Sequence, residues 1–144
     1  MLPTPIPEHP ERPRGRREGA TDAGMTNGKA PIVTDAVEVP VPGKSVREFI
    51  GRVASGDESV SIAVMGSPPG WTEPAQTPEF DEYTIVLSGT LLVHHPDGVT
   101  EVKGGQSIKT PAGVKVRYGT PDGADYVAIC LPAFAFRLAH RDEE

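Results

Sequence analysis

Apolar and polar residues alternate along most of the chain after Lys29, with a period of two. "SVSIAVM" (59–65) sets Val60, Ile62 and Val64 on one face. "YTIVLSGTLLVHH" (83–95) reads as two strand runs hinged at Ser88-Gly89, and "HPDGV" is a tight-turn signal between apolar runs. From Val99 to Phe134 the order strand, Gly or Pro turn, strand recurs three more times. Upstream, "PIVTDAVEVPVPG" (31–43) alternates with Pro interruptions, which suits edge strands. "SVREFIGRV" (45–53) fits two patterns. Val46, Phe49, Ile50 and Val53 follow a helix period with Ser45 as a cap, while the β-branched residues and Gly51 suit a strand. The β character of everything downstream favours a strand or short turn. The pattern predicts roughly eight strands with turns at roughly 8–12-residue spacing and no long helix, which implies an all-β sandwich or barrel. A barrel of about eight strands has room for one small ligand.

Composition divides the chain. Of its 144 residues, 32 are Gly or Pro, which fits many turns. Residues 1–29 are rich in Pro, Arg, Glu and Gly, with almost no aliphatic run. Such a segment cannot offset its ordering entropy, so a disordered tail is expected there, and one domain over 30–144. "RPRGRR" (12–17) reads as a solvated tail or an interaction arm, and Met25 as an alternative start. Residues 30–144 carry nine Lys or Arg against sixteen Asp or Glu, a net of −7. That acidic body argues against a nucleic-acid partner and against an anionic membrane surface. A single Cys excludes an internal disulfide, and no signal-peptide or membrane-spanning run is present, so the expected location is cytoplasmic.

The stretch "GWTEPAQTPEFDEYTIVLSG" (70–89) raises the question of chemistry. It places Gly70, then five residues, Gln76-Thr77-Pro78, three residues, Glu82, six residues and Gly89. A second set follows: Gly105, five residues, Pro111-Ala112-Gly113, two residues and Val116. Both resemble the two motifs of the cupins in the spacing of every anchor. "EFDEYTIVLSGTLLV" and "YVAICLPAF" resemble, more narrowly, the small ethanolamine-utilisation (EutQ-like) type. The resemblance implies a jelly-roll (double-stranded β-helix) barrel over about Ser59 to Phe134, a small-molecule ligand and pairing into a homodimer. The segment Pro31 to Pro42 is a candidate for crossing to the partner.

Cupins bind a divalent metal through three His and one Glu. Here the His positions hold Gln76, Pro78 and Val116, and only Glu82 remains. Pro and Val have no side-chain donor, so no metal and no other cofactor is expected at these positions.

That leaves the cavity side chains. Glu82 in an apolar barrel should have a raised pKa and can serve as general acid or base; the alternative is a structural strut. Gln76 can donate its amide to a substrate carbonyl or hold Glu82. Trp71 and Glu73 precede it at the expected barrel mouth. Trp71 suits stacking on a planar ligand or a packed lid. Glu73 supplies a second carboxylate that could divide acid and base roles with Glu82. Tyr118 should share a face with Val116, both as substrate contacts, while Arg117 and Tyr83 face outward. Tyr126 reads as core. At most one of His94 and His95 can face inward, where it would make an irregular metal site with Glu82 and Gln76. Cys130 reads as a buried small hydrophobe. Two functions follow: a metal-independent acid–base enzyme of isomerase, epimerase, cyclase or lyase type acting on a small organic acid or natural-product intermediate, or a ligand-binding module without turnover.

Overall fold

The β-rich pattern resolves into nine strands among the described residues. The structure is a computed structural model and describes residues 30–143. The expected tail (1–29) lies outside them. Thr34–Glu144 makes up one compact unit. In chain order the strands are β1 (Val37–Glu38), β2 (Ser45–Ile50), β3 (Ser61–Ser67), β4 (Trp71–Thr72), β5 (Asp81–His95), β6 (Gly98–Lys103), β7 (Ser107–Thr110), β8 (Arg117–Thr120) and β9 (Ala124–Leu131). One helical turn, α1 (Phe136–Ala139), follows. The strands run antiparallel in the order β1-β2-β3-β9-β5-β8-β4, with β6 and β7 also pairing with β5.

The ambiguous segment at 45–53 is a strand to Ile50 and then a turn. The turn is held by Glu48, whose Oε2 accepts from the Val53 and Ala54 amides at 2.9 and 2.7 Å. The segment proposed to reach a partner is partly used within its own chain, because Val37 and Glu38 pair with Glu48 and Arg47.

The long strand β5 serves two groups of neighbours. Its first half pairs with β7 and β9 and its second with β6 and β8. The register on β9 slips between Val86 and Ser88. This irregularity coincides with the hinge read from the sequence. Gly89 follows it at φ 79, and a Cβ there would lie 2.2 Å from the Gly123 carbonyl oxygen. Only glycine tolerates both the backbone angle and the approach. Gly89→Ala is therefore expected to destabilise the protein by about 3 kcal/mol. The urea unfolding midpoint checks this, and an unchanged midpoint would show that the Gly123 carbonyl gives way freely.

Alternation places Val86, Leu91 and Val93 inside, where they pack with Val102, Val116, Tyr118 and Tyr126. On β3 the bulkier set, Ile62 and Val64, is only partly buried, while Ser61 and Ala63 are buried. Apolar alternation by itself would seat Ile62 and Val64 in the core. The curled sheet instead turns small side chains inward on this strand, and that choice leaves space.

Candidate functional site

Cross-strand rows explain where the space comes from. Ala63 on β3 faces Ala128 on β9, which faces Thr84 on β5. The next row is Ser61, Cys130 and Glu82, continued by Thr110 on β7. Six of these seven side chains are small, so the inner face leaves a cavity of about 60 Å³. Leu91, Met65 and Tyr126 add apolar walls, and Trp71, Glu73, Gln76, Lys44 and Arg141 also border it.

Glu82 is the carboxyl in the middle of this wall. It touches the cavity's free space and is otherwise enclosed by protein. Its Oε1 lies 3.5 Å from Cys130 Sγ, and its Oε2 lies 3.5 Å from Thr84 Oγ1. None of the ion pairs among the described residues includes it. Burial raises its pKa above the usual 4.5; the Tyr118 phenol opposes the rise and the charge of Glu73 adds to it. Tyr118 is fixed by Thr110, their hydroxyls 3.0 Å apart, and burial holds it protonated. The Cys130 thiol is likewise pushed up by burial and by Glu82, so it is no thiolate nucleophile.

A second group of charges borders the same cavity. Glu73 is 8% exposed, and its Oε2 lies 3.7 Å from Lys44 Nζ and 3.2 Å from Arg141 Nη2. Lys44 also sits 4.5 Å from the Trp71 ring centre and 3.7 Å from Met65 Sδ. Burial lowers its pKa, and the neighbouring Arg141 lowers it further. Arg141 arrives through the chain's return after α1. Ala139 packs with Phe80 and Cys130, beside Phe134 and Leu138. The Glu79 amide donates to Leu138 O, the Thr77 amide to His140 O and the Asp142 amide to Ala75 O. Gln76 thus bridges Val116 on one side and Arg141 on the other, and its Oε1 accepts from Arg141 Nε at 3.4 Å.

Solved structures identify this architecture. A variant of oxalate decarboxylase from Bacillus subtilis superposes with a TM-score of 0.65 at 17% identity, over 79% of this chain and 33% of that one. An RmlC-like cupin from Shewanella frigidimarina gives 0.58 at 15%, over 69% and 85%. The EutQ protein of Clostridium difficile gives 0.56 at 20%, over 72% and 77%. The chain folds as a cupin. No protein-family model matches it. One curated protein, named endoribonuclease YbeY, from Myxococcus xanthus, is 42% identical over 103 residues. The match takes in 69% of this chain, which spans about a third (35%) of that protein's length.

The cupin metal positions can now be tested for fit. Gln76 and Glu82 border the cavity, and Gln76 pairs with Val116 across a β-bridge. Pro78 and Val116 bring no donor atom. Among the described residues no three His, Cys, Asp or Glu side chains converge as a ligand set. The residues present do not fit a cupin-type metal.

The irregular alternative with a histidine is corrected. His94 and His95 line a surface groove with Lys115 and Arg117, away from Glu82, and His95 Nε2 pairs with Thr100 Oγ1 at 2.8 Å. Val116, expected as a substrate contact, is 1% exposed and packs in the core instead of bordering the cavity. Its motif position is met, but the small-residue rows put the free space beside Ala63, Ala128 and Thr84 instead. Tyr126 belongs to the core and also to the cavity wall, with its hydroxyl 2.7 Å from Ser67 Oγ. Glu73 is bound to two cations, which does not suit the proton-sharing role with Glu82. Lys44 and Arg141 escaped the sequence reading. They lie in edge and C-terminal segments outside both motifs.

Proposed function

We propose that the protein is a small-molecule cupin in which Glu82 moves a proton without help from a metal. One observation carries the reading: a carboxyl that opens on the cavity with no cation paired to it. Such a group gives up its proton at a higher pH than an exposed glutamate does. As a carboxylate it accepts a proton from a carbon next to a carbonyl. As the acid it returns the proton to a neighbouring carbon, which gives isomerisation, or to the same carbon after the intermediate has turned its other face to Glu82, which gives epimerisation; return to the original face gives solvent exchange alone. In this reading Tyr118, held protonated by burial beside Thr110, turns its phenol to donate a hydrogen bond to the developing oxyanion.

Solvent exchange tests this without a known substrate. A panel of small ketones, keto acids and hydroxy acids incubated in deuterated buffer is followed by proton NMR. Wild-type protein is expected to wash deuterium into at least one member, and Glu82→Gln to slow that by about 100-fold or more. If binding is seen but Glu82→Gln changes affinity alone, with no exchange by the wild type, the protein is a binding module and the catalytic reading is lost.

The name of the Myxococcus xanthus protein suggests ribonuclease chemistry. The small cavity and the acidic body favour a small molecule over an RNA chain. We also propose homodimer pairing, supported by the exposed Ile85 and Leu87 on the outer face of β5; a monomeric mass by light scattering would remove it.

A further inference from the structure

Lys44 and Arg141 come from opposite ends of the domain and meet on one atom. Both reach Glu73 Oε2, at 3.7 and 3.2 Å, so Lys44 Nζ and Arg141 Nη2 stand no more than 6.9 Å apart. One carboxylate thus serves two cations, and positive charge is in surplus at this end of the cavity while Glu82 is protonated; once ionised, Glu82 acts on Lys44 through space without pairing to it. Glu48 also borders the cavity, but its carboxylate is committed to the 51–54 turn. Glu82 makes no ion pair with either cation.

The same cluster is short of hydrogen bonds. Glu73 Oε2 is buried, and it faces Lys44 and Arg141 at ion-pair distances without a well-aligned hydrogen bond. A buried carboxylate oxygen held only by such contacts has room for a better donor, and a ligand hydroxyl at this point would supply one. Lys44 is gripped on its other sides by Trp71 and Met65, neither of which neutralises its charge.

We infer that Lys44, Arg141 and Glu73 form a subsite for a small hydroxy monocarboxylate, with the ligand carboxylate between the two cations and its hydroxyl donating to Glu73 Oε2. One added negative charge balances the surplus, which favours a monoanion over a dianion. The length of the ligand is bounded too. A cavity of about 60 Å³ holds on the order of five water-sized centres, so acids of about two to four carbons fit. The subsite rests on the small-molecule reading of the same cavity, and it orients such an acid with its carbon end toward Glu82.

Calorimetric or NMR titration of the full chain with lactate, 3-hydroxybutyrate and the neutral isostere lactamide is the test. At least one of the acids is expected to bind, lactate more tightly than lactamide by about 10- to 100-fold, and added salt should weaken the acids alone. Lys44→Gln and Arg141→Gln each leave Glu73 one cation and should each weaken acid binding about 10-fold or more. Equal affinity for lactate and lactamide overturns the subsite, as does failure of both acids to bind or undiminished binding by both variants. The lactate–lactamide comparison needs no variant, so a variant that fails to fold does not block the answer. Glu82→Gln separates this subsite from the catalytic reading. If acids bind Glu82→Gln and wild type alike but wild type exchanges no protons, the subsite stands and the catalysis falls. If Glu82-dependent exchange occurs without preference for acids, the reverse holds.

Discussion

Glu73→Gln is expected to cost the folded protein about 3–5 kcal/mol near neutral pH. The carboxylate is the partner of both Lys44 and Arg141, whose side chains are 6% and 29% exposed. An amide keeps the shape of Glu73 and removes its charge, leaving two like charges close together with no anion between them. The loss should ease as the solution becomes alkaline. Burial and Arg141 already lower the pKa of Lys44 from 10.5, and removing Glu73 lowers it further. Folded Lys44 then gives up its proton at a pH where the unfolded chain still holds it. The penalty relative to wild type is full below the variant's folded pKa, shrinks as pH rises through it, and levels off at the wild type's own lowered value, below 10.5. Arg141 stays charged throughout, so part of the deficit persists. Urea denaturation at several pH values measures this. A deficit under about 1 kcal/mol at neutral pH would show that water reaches the cluster and screens it.

Glu82→Gln is expected to act in the opposite sense on stability while removing turnover. Glu82 has a raised pKa because burial disfavours its charged form. Below the ordinary value of 4.5 it is protonated in the folded and unfolded states alike, so the variant and the wild type should match there. Above that pH the unfolded chain loses the proton first, and wild-type stability falls by up to about 1.4 kcal/mol per pH unit until the folded carboxyl also ionises. The amide escapes this penalty, so the variant's advantage should open above pH 4.5 and level off once folded Glu82 is charged. Thermal melts across pH 4 to 9 read it directly, alongside the deuterium assay. A gain in stability joined to a loss of exchange is the behaviour of a strained catalytic group. A gain in stability with exchange and affinity both unchanged would make Glu82 a relic of the fold.

Much of this arrangement was legible in the sequence because strand periodicity and turn chemistry are local. Gly89 marked the bend of β5, and the cupin resemblance grouped Gln76 with Val116, which meet across a β-bridge. The cupin resemblance put Glu82 inside, alternation from Val116 put Tyr118 there, and both border the cavity. Alternation could not say that Ile62 and Val64 would turn outward, because a period of two identifies two faces without saying which is inner. Nor could it place the free space beside Ala63, Ala128 and Thr84, since a gap between strands depends on which residues become cross-strand neighbours. Val116 was misjudged for the same reason. Lys44 and Arg141 were beyond reach, because 97 positions separate them and their meeting depends on the chain closing back after α1 onto residues 75–79.

The final turn of the chain makes this closure observable. Residues 138–142 are laced to 75–79 by the amides of Thr77, Glu79 and Asp142. These lie on either side of Gln76 and Arg141, at the rim of the domain. An anion that draws on Arg141 would tighten this lacing. Hydrogen–deuterium exchange at those three amides should then slow when the cavity is filled, while the amides of the β3–β9 pairing, deep in the sheet, keep their pace. The rim thus supplies a built-in occupancy gauge for screening compounds before any reaction is known.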